Sequence, residues 1–532
     1  MRHSLRVFFL FLAIYLLTFG GHLYSPDEEI LFRTTEAMVE RGTLSIEPLQ
    51  GFATKKGPEG QEYAQYGIGQ PLLAVPFYYL GKLLYAVLPA EKVPAWFVDT
   101  IQYHARTPLS FTLRLGVSFF NLVVCALICA VLFSFAHKLT GDPKAAWMAA
   151  LLYGFGTFNW VHSKPFFTEP LATLLLFWSF YLLYVGVKEK SGRRLIISGC
   201  LFGYALLVRM DSILMLPGFL VLLFFPWFDR LTFRLWTMLG GQNSSNPESA
   251  ENESIEISNR EGENPLQVFA FFIPLVVFVL ILLGLNQLKY GAFFSTGYED
   301  QPEGFKFSTP LLAGLYGFLF SAGKGLFFFS PPLVLFFFGI RKLHANSRRL
   351  ALGLIVTILC FFLVQCKWQN WPGGWCWGPR HIFQVHVFLA LPIAFLFTTW
   401  KRMAVRAVFW VFLILGGVVQ LYGCSQNFID YHAEFFTTPR TYPNNFNIWY
   451  QETESFLKDD YALYLLDEEG NNLKRIPLHL LVSPVQNSIY YPQNSVWRNY
   501  IIMLRQGRHD FLWPKIVMRR NPPNLTDKNI GS

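Results

Sequence analysis

Apolar segments long enough to cross a bilayer recur along the chain up to residue 424. A transmembrane helix needs about 20 mostly apolar residues. Because backbone groups in lipid must be hydrogen-bonded internally, such segments form helices. The sequence therefore predicts an all-α polytopic membrane protein with about eleven transmembrane helices. The predicted spans are 5–22, 111–136, 145–162, 169–187, 195–208, 212–228, 267–288, 311–340, 350–366, 382–400 and 407–424.

Charge sets the predicted orientation of these spans. The chain is 53% hydrophobic and only 15% charged, which excludes an ordinary soluble domain, and its net charge of +9 therefore does not indicate nucleic-acid binding. Lys and Arg accumulate in cytoplasmic loops of membrane proteins. With the N-terminus inside, every inner loop is basic. These loops carry Arg2, Arg6, Lys138, Lys144, Lys188, Lys190, Arg193, Arg194, Arg230, Arg234, Arg341, Lys342, Arg348, Arg349, Lys401, Arg402 and Arg406.

Three stretches need a separate interpretation. Counting Pro71–Pro89 as a span would reverse the sign of every later loop, so we predict a helix in the outer interface. Residues 311–340 are too few for two spans and predict one span preceded by a turn at Ser321–Gly325. The polar, acidic tract within 240–265 predicts a flexible inner loop.

The chain divides into two predicted parts. Residues 1–424 form the transmembrane module, and residues 425–532 form a small outer domain of mixed structure. In the second part, β-like runs occur at Ala462–Leu466, Ile476–Val482 and Tyr500–Leu504.

An acidic cluster, Asp27-Glu28-Glu29, follows the first span directly. The pattern from Ile30 to Val39 predicts a short interfacial helix, and capping of its N-terminus is one explanation of the acids. The alternative is chemical, since a carboxylate at the bilayer surface can act as general base toward an acceptor hydroxyl. The sequence leaves both explanations open.

Further polar residues fall on the same predicted outer side. Tyr66 and Gln70 lie before the interfacial helix, where they form either a turn or a wall for a sugar ring. Glu169 begins a helix as a cap, or contributes with Asp27 to a divalent-cation or acceptor site. Arg209 either pairs with Asp211 or contacts a lipid phosphate.

The segment 367–381, KWQNWPGGWCWGPRH, is the least typical of a membrane-surface loop. Tryptophans suit an aromatic belt at the interface. A belt does not require Gly-Gly or Gly-Pro-Arg-His, so we predict a functional role. Arg380, at the start of the next helix, is suited to bind a phosphate at the membrane surface.

Together these segments resemble GT-C glycosyltransferases, polytopic enzymes that use polyprenyl-phosphate sugars. The similarity is greatest to bacterial aminoarabinose, protein-mannosyl and RgtA/B/C/D-like transferases and covers roughly residues 1–425. It rests on the acidic pair after the first span and on an ordered set of segments. These are YAQYGIGQPLLAVPFYYLG, FFTEPLA, LLVRMDSILMLP, YGAFFSTGY, FSAGKGLFFFSPPLVL and WPGGWCWGPRH.

The resemblance implies transfer of one sugar from a polyprenyl phosphate to a lipid, glycan or protein acceptor, with inversion, on the periplasmic face of a bacterial inner membrane. The N-terminus would then be cytoplasmic and the C-terminus periplasmic. Asp27 is the implied base, with Glu28 beside it. The resemblance establishes no cofactor, and a divalent cation on Asp27 and Glu169 is one option.

The remaining implied roles are binding roles. Phosphate ligands are Arg209, Lys324, Arg380 and His381; sugar or acceptor contacts are Tyr66, Gln70, Glu169, Trp375 and Trp377. Two alternatives stay open at this point, a transporter or flippase of lipid-linked glycans and a non-catalytic envelope assembly protein. The charged residues cluster at helix ends rather than inside spans, which disfavours the transporter.

Overall fold

The computed structural model describes residues 2–47, 53–88, 107–225, 265–299, 306–321, 323–373 and 376–428, together with Asp510 and four short strands beyond them. The flexible loop predicted within 240–265 falls almost entirely outside these residues, as does Trp375. The domain boundary at residue 424 stays a prediction.

Helices make up most of the described structure, which confirms the all-α polytopic prediction. The α-helices are Arg2–Leu17, Pro26–Glu40, Gly69–Val87, Pro108–Ser118, Phe120–Thr140, Pro143–Gly156, Glu169–Lys188, Gly192–Val208, Pro265–Tyr290, Leu311–Phe320, Leu326–Phe329, Phe336–Asn346, Arg348–Lys367, Phe383–Ala390, Ala394–Phe397 and Met403–Cys424. Short 3₁₀ turns lie at Val161–Ser163, Met210–Met215, Pro331–Leu335, Arg380–Ile382 and Leu391–Ile393.

Within the described residues, six helical stretches are long and apolar enough to cross a membrane. They are Pro108–Thr140, Glu169–Lys188, Phe269–Tyr290, Arg348–Lys367, Arg380–Phe397 and Met403–Cys424. Each coincides with a predicted span. The spans predicted at 5–22, 145–162, 195–208 and 212–228 occur as shorter helices, the last of them as Met210–Phe225.

The segment predicted at 311–340 is broken where its glycines and prolines interrupt the helix. Leu311–Phe320 ends at Ser321, and helical structure resumes at Leu326. A side chain at Gly325 would place its Cβ 2.5 Å from the Ser321 carbonyl oxygen, so the turn requires glycine there. Pro331 and Pro332 then open a 3₁₀ turn rather than an α-helix.

The loop after the first helix contains two helices separated by a hairpin. The helix Pro26–Glu40, here called the acidic helix, has Asp27, Glu28 and Glu29 in its first turn, where they complement the helix dipole. The hairpin pairs Thr54–Lys56 with Glu62–Ala64 in antiparallel register. The helix predicted at Pro71–Pro89 is present as Gly69–Val87.

Close backbone contacts at glycines bring this loop onto the helix bundle. A Cβ at Gly67 would lie 2.2 Å from the carbonyl oxygen of Leu207, and one at Gly69 would lie 2.7 Å from Val208 Cγ2. Only a residue without a side chain permits this approach. The contact sets Tyr66 beside the end of the helix Gly192–Val208, where Arg209 follows.

The described strands beyond residue 428 form a four-stranded antiparallel sheet. Its order is Arg440–Thr441, Asn447–Trp449, Ala462–Leu466 and Asn472–Pro477. The strand predicted at Ala462–Leu466 is confirmed. The run predicted from Ile476 overlaps the end of the fourth strand, and the run at Tyr500–Leu504 lies outside the described residues.

Candidate active site

Asp27 is the one member of the acidic cluster that is not buried. Its Oδ1 accepts a hydrogen bond from the Tyr66 hydroxyl at 2.8 Å, and its Oδ2 accepts one from an Arg380 guanidinium nitrogen at 2.9 Å. The Asp27 side chain is 18% exposed. Burial, and then the negative charge of Asp27, raise the pKa of Tyr66 well above its usual value, so the phenol stays a donor.

Arg380 connects two carboxylates that are far apart in sequence. It enters from a 3₁₀ turn after Gly378, whose φ of +68° favours glycine. Its guanidinium lies 4.4 Å from the centre of the Phe167 ring. Besides its bond to Asp27, its Nε lies 3.4 Å from an oxygen of Glu169. Arg380 therefore ties the acidic helix to the start of the helix Glu169–Lys188.

Arg209 continues this line of charges. It donates to Glu169 at 2.8 Å and forms a two-pronged ion pair with Asp211, at 3.1 and 2.8 Å. Burial alone would lower the pKa of Arg209, but the two carboxylates outweigh it and the net shift is upward. The amide of Gln365 also donates to Asp211, at 3.2 Å. Both explanations offered for Arg209 thus remain available, since it pairs with Asp211 and also faces a cavity.

That cavity has a volume of about 260 Å³. Its walls include Tyr66, Thr168, Arg209, Asp211 and Gln365, with further aromatic surface from Tyr298, Phe307 and Trp368. Two wall residues connect it to the ion network, because Tyr66 binds Asp27 and Arg209 binds Glu169. A pocket with aromatic faces and a few convergent polar groups is typical of small-ligand sites.

The other two acids of the cluster are buried and have partners outside this network. Glu28 is fully buried and accepts from the Ser25 hydroxyl at 2.9 Å and from the Phe166 backbone N–H at 2.7 Å. Burial raises its pKa to about 8, against the lowering effect of these hydrogen bonds. Glu29 is held by Arg114 at 2.9 and 2.5 Å and by Arg33 at 3.1 Å. The catalytic role of Glu28 stays a prediction, and its contacts are those of a residue that fixes the loop before Glu169.

The remaining predicted site residues lie around the network rather than in it. Gln70 is buried and donates to the Phe166 carbonyl at 2.8 Å. Lys324 is buried and donates to the backbone oxygen of Cys376 at 2.9 Å. His381 packs against Trp368, with ring centres 4.4 Å apart. Trp377 is buried against Phe329, and its ring centre lies 4.8 Å from that of Phe329.

The site does not fit the divalent cation suggested for Asp27 and Glu169. Both carboxylates face the same guanidinium, that of Arg380, which supplies the positive charge between them. Across the described ranges, no three His, Cys, Asp or Glu residues are arranged to hold a metal ion. We therefore derive no step through a metal.

Several contributors were not singled out from the sequence. In the sequence Asp211 stands out only as a partner of Arg209, and Arg114 lies inside a predicted span. Tyr298 ends the segment YGAFFSTGY, Trp368 is the second residue of the segment 367–381, and Gln365 lies two residues before that segment. An arginine inside an apolar span was the one available signal for Arg114, since such charges are costly in lipid unless paired.

Comparison with known proteins supports the family resemblance. Residues 107–241 match the model of the dolichyl-phosphate-mannose-protein mannosyltransferase family, a GT-C family. This match confirms the resemblance to GT-C glycosyltransferases predicted from the sequence. No curated protein matches the chain.

Two solved structures are similar to this chain at low sequence identity. ArnT from Cupriavidus metallidurans bound to undecaprenyl phosphate is 15% identical with a TM-score of 0.46; the match covers 79% of this chain and 63% of that one. The Archaeoglobus fulgidus oligosaccharyltransferase AglB, in complex with an inhibitory peptide and a dolichol phosphate, is 11% identical with a TM-score of 0.42. That match covers 89% of this chain and 61% of AglB. This chain thus spans less than two thirds of either relative.

Proposed function

We propose that this chain, a membrane protein of the GT-C type, transfers one sugar from a polyprenyl-phosphate donor to an acceptor hydroxyl at the outer face of a bacterial inner membrane. The observation that carries the proposal is the placement of Asp27. Its carboxylate is partly exposed, lies beside a cavity, and contacts a tyrosine that lines that cavity.

In the proposed reaction Asp27 removes the proton from the acceptor hydroxyl. The resulting oxygen attacks the anomeric carbon of the donor, and the bond from that carbon to the phosphate oxygen breaks. The electron pair leaves with the polyprenyl phosphate, and configuration at carbon inverts. A positioned carboxylate base contributes roughly 10²–10⁴ in rate.

Arg209 and Arg380 would stabilise the negative charge that develops on the leaving phosphate. Arg209 lines the cavity, and Arg380 contacts the same Glu169 carboxylate that binds Arg209. Fixed cations aimed at developing charge supply a large share of many enzymes' rate enhancement. Glu169 and Asp211 orient the Arg209 guanidinium, since each accepts from different nitrogens.

The cavity's size supports a single sugar over an oligosaccharide. Its volume of about 260 Å³ lies near the lower end of ligand pockets, roughly 300–1,000 Å³. Aromatic side chains such as Trp368 offer faces for a pyranose ring, and Gln365 and Asp211 offer hydrogen-bond partners.

Release of the carrier lipid phosphate from a panel of polyprenyl-phosphate sugars tests the proposal. The purified protein is reconstituted in lipid and assayed as wild type and as Asp27→Asn. We expect release by wild type and at least a hundredfold loss in the variant, because the amide cannot accept the proton. Glu59→Gln, an exposed acid of the same outer loop, is the matched control.

Two results would contradict the assignment. Near wild-type turnover of Asp27→Asn, together with inactive Glu169→Gln, would move the base to Glu169. If wild type releases no carrier phosphate from any carrier-linked sugar, the proposed activity is wrong.

A further inference from the structure

Asp510 is a buried carboxylate that the proposed mechanism does not use. It lies in the part of the chain beyond the last transmembrane helix, yet it is only 2% exposed. Its Oδ2 accepts from the Lys164 ammonium at 2.6 Å and from the Tyr24 hydroxyl at 2.7 Å, and its Oδ1 lies 2.9 Å from His22 Nε2. Its backbone N–H donates to the Ser425 carbonyl at 2.9 Å.

The surroundings of Asp510 are built to receive it. Lys164 is also buried and donates to the Cys424 carbonyl at 2.7 Å. Gly20 leaves space for the carboxylate, because a Cβ there would lie 1.9 Å from the Tyr24 hydroxyl oxygen and 3.0 Å from Asp510 Oδ2. A buried charge without a partner is strongly unfavourable, so Lys164 requires this carboxylate.

The partners of Asp510 belong to the two segments that carry the candidate catalytic acids. Tyr24 lies two residues before the acidic helix, whose first turn contains Asp27. Lys164 lies on the short connection to Glu169, and Phe167 on that connection supports the Arg380 guanidinium. Tyr24 and Phe167 also pack in one buried cluster with Cys376 and Phe428.

We propose that Asp510 is a positioning residue for the proposed transfer reaction. It joins the segment before Asp27 to the segment before Glu169 and fixes both against the end of the last transmembrane helix. Asp510, which follows that helix in the sequence, is then part of the catalytic unit. This inference rests on the proposed function.

The first test compares Asp510→Asn with wild type in the full-length protein, by carrier phosphate release at a temperature well below unfolding. We expect kcat to fall at least tenfold and the donor KM to change less than threefold, because Asp510 does not line the donor cavity. Because a smaller folded fraction would also lower the apparent kcat and leave KM unchanged, each kcat is normalised to the amount of folded protein measured by size-exclusion chromatography. The control is Glu40→Gln. Glu40 ends the acidic helix, and the change breaks its exposed ion pair with Lys82 of the helix Gly69–Val87.

Tyr24→Phe covers the case in which Asp510→Asn does not fold. It removes one hydrogen bond to Asp510 and leaves the Lys164 pair intact, so we expect kcat to fall about three- to tenfold. If Asp510→Asn folds, the double variant with Tyr24→Phe should lose less activity than the two single losses combined, because both changes act through one contact. A kcat within twofold of wild type for every folded variant of the two overturns the proposal.

Hydrogen exchange separates this inference from the proposed function. In Asp510→Asn, or in Tyr24→Phe if the former does not fold, we expect faster amide exchange at Ser25–Glu29 and Phe166–Glu169 than in wild type. If wild type releases no carrier phosphate but exchange rises at both segments, the proposed function fails and the positional contact stands. Unchanged exchange at both segments overturns the contact's role, whatever the activity.

Discussion

Three consecutive carboxylates reach three different environments, and this separates their chemistry. Asp27 contacts a phenol and a guanidinium at a partly exposed position, Glu28 contacts a backbone amide in the interior, and Glu29 pairs with Arg114. On a helix, neighbouring residues point in different directions, about 100° apart. A general base needs contact with solvent and substrate, so position alone favours Asp27.

Glu28 should make stability depend on pH. Its pKa in the folded protein is raised from 4.5 to about 8 by burial. A carboxyl whose folded pKa is raised favours the folded state when protonated, so this stabilisation is complete below about pH 4.5 and is lost as pH rises through about 8. We expect the unfolding temperature in detergent to decline between pH 5 and 8.5, and Glu28→Gln to flatten that decline. An equal slope in the variant would assign the pH dependence to other groups.

Arg380 should govern donor affinity more than stability of the bundle. Arg380→Ala removes a charged hydrogen bond worth roughly 1.5–3 kcal/mol, which corresponds to about a ten- to hundredfold weaker donor affinity. Arg380→Lys should recover only part of this, because an ammonium cannot span both Asp27 and Glu169 as a planar guanidinium does. The affinity of each variant for a polyprenyl-phosphate sugar is measured by direct binding. Arg402→Ala, at an exposed arginine, is the control. Unchanged affinity of Arg380→Ala would exclude a donor role.

Individual site residues were predictable where composition was unusual. Asp27, Arg209, Arg380 and Glu169 stand out as charges at the ends of apolar segments, and the structure brings them into one network. The pairing itself was not predictable, because Arg380 and Asp27 are 353 positions apart. Gln365 and Asp211 resemble ordinary polar residues at helix ends until the fold places them on one cavity wall.

Two helices of this bundle pack closely where glycines face one another. A Cβ at Gly416 would lie 2.5 Å from the Gly156 Cα, and one at Gly156 would lie 2.6 Å from a ring carbon of Pro332. Small residues at such crossings let backbones pack tightly in membranes. The last transmembrane helix therefore docks on Pro143–Gly156 through a contact that admits no side chain.

Adjacent glycines provide a matched test of that contact. Gly416→Ala should lower the unfolding temperature, because the methyl group forces the two backbones apart. Gly417→Ala should be neutral or slightly stabilising, since nothing lies within 4 Å of its added Cβ and Ala favours helix by about 1 kcal/mol. Thermal unfolding in detergent compares the two. Equal effects of both variants would show that helix propensity, not packing, dominates here.

Hydropathy predicted the helical segments well and their continuity less well. Long uniform runs such as Met403–Cys424 were located almost to their ends. The segment 311–340 was expected to contain one turn, but the paired prolines add a second interruption. The Gly67 contact with Leu207, which positions Tyr66, depends on tertiary packing and left only a glycine as its sequence signal.

Three helices run from a basic end to the candidate site. Glu169–Lys188 begins at the site and ends at Lys188, whereas Gly192–Val208 starts beside Arg193 and Arg194 and ends at Arg209. Arg348–Lys367 begins with two arginines and reaches the cavity at Gln365. The candidate site and the basic loops therefore lie at opposite ends of these helices. Under the positive-inside rule, this arrangement predicts that the site lies at the outer face.

Impermeant thiol labelling of intact cells tests this orientation directly. In a background with the native cysteines replaced, Gln61→Cys should react from outside, since it is exposed in the loop that carries Asp27. Ser191→Cys and Asn346→Cys, in basic loops at the other end of the helices, should react only after permeabilisation. A polyprenyl-phosphate sugar with its head at the outer leaflet would then meet Asp27 and Arg209 from the correct side. Labelling of Asn346→Cys and Ser191→Cys in intact cells would place the site on the cytoplasmic face and require a donor on that leaflet.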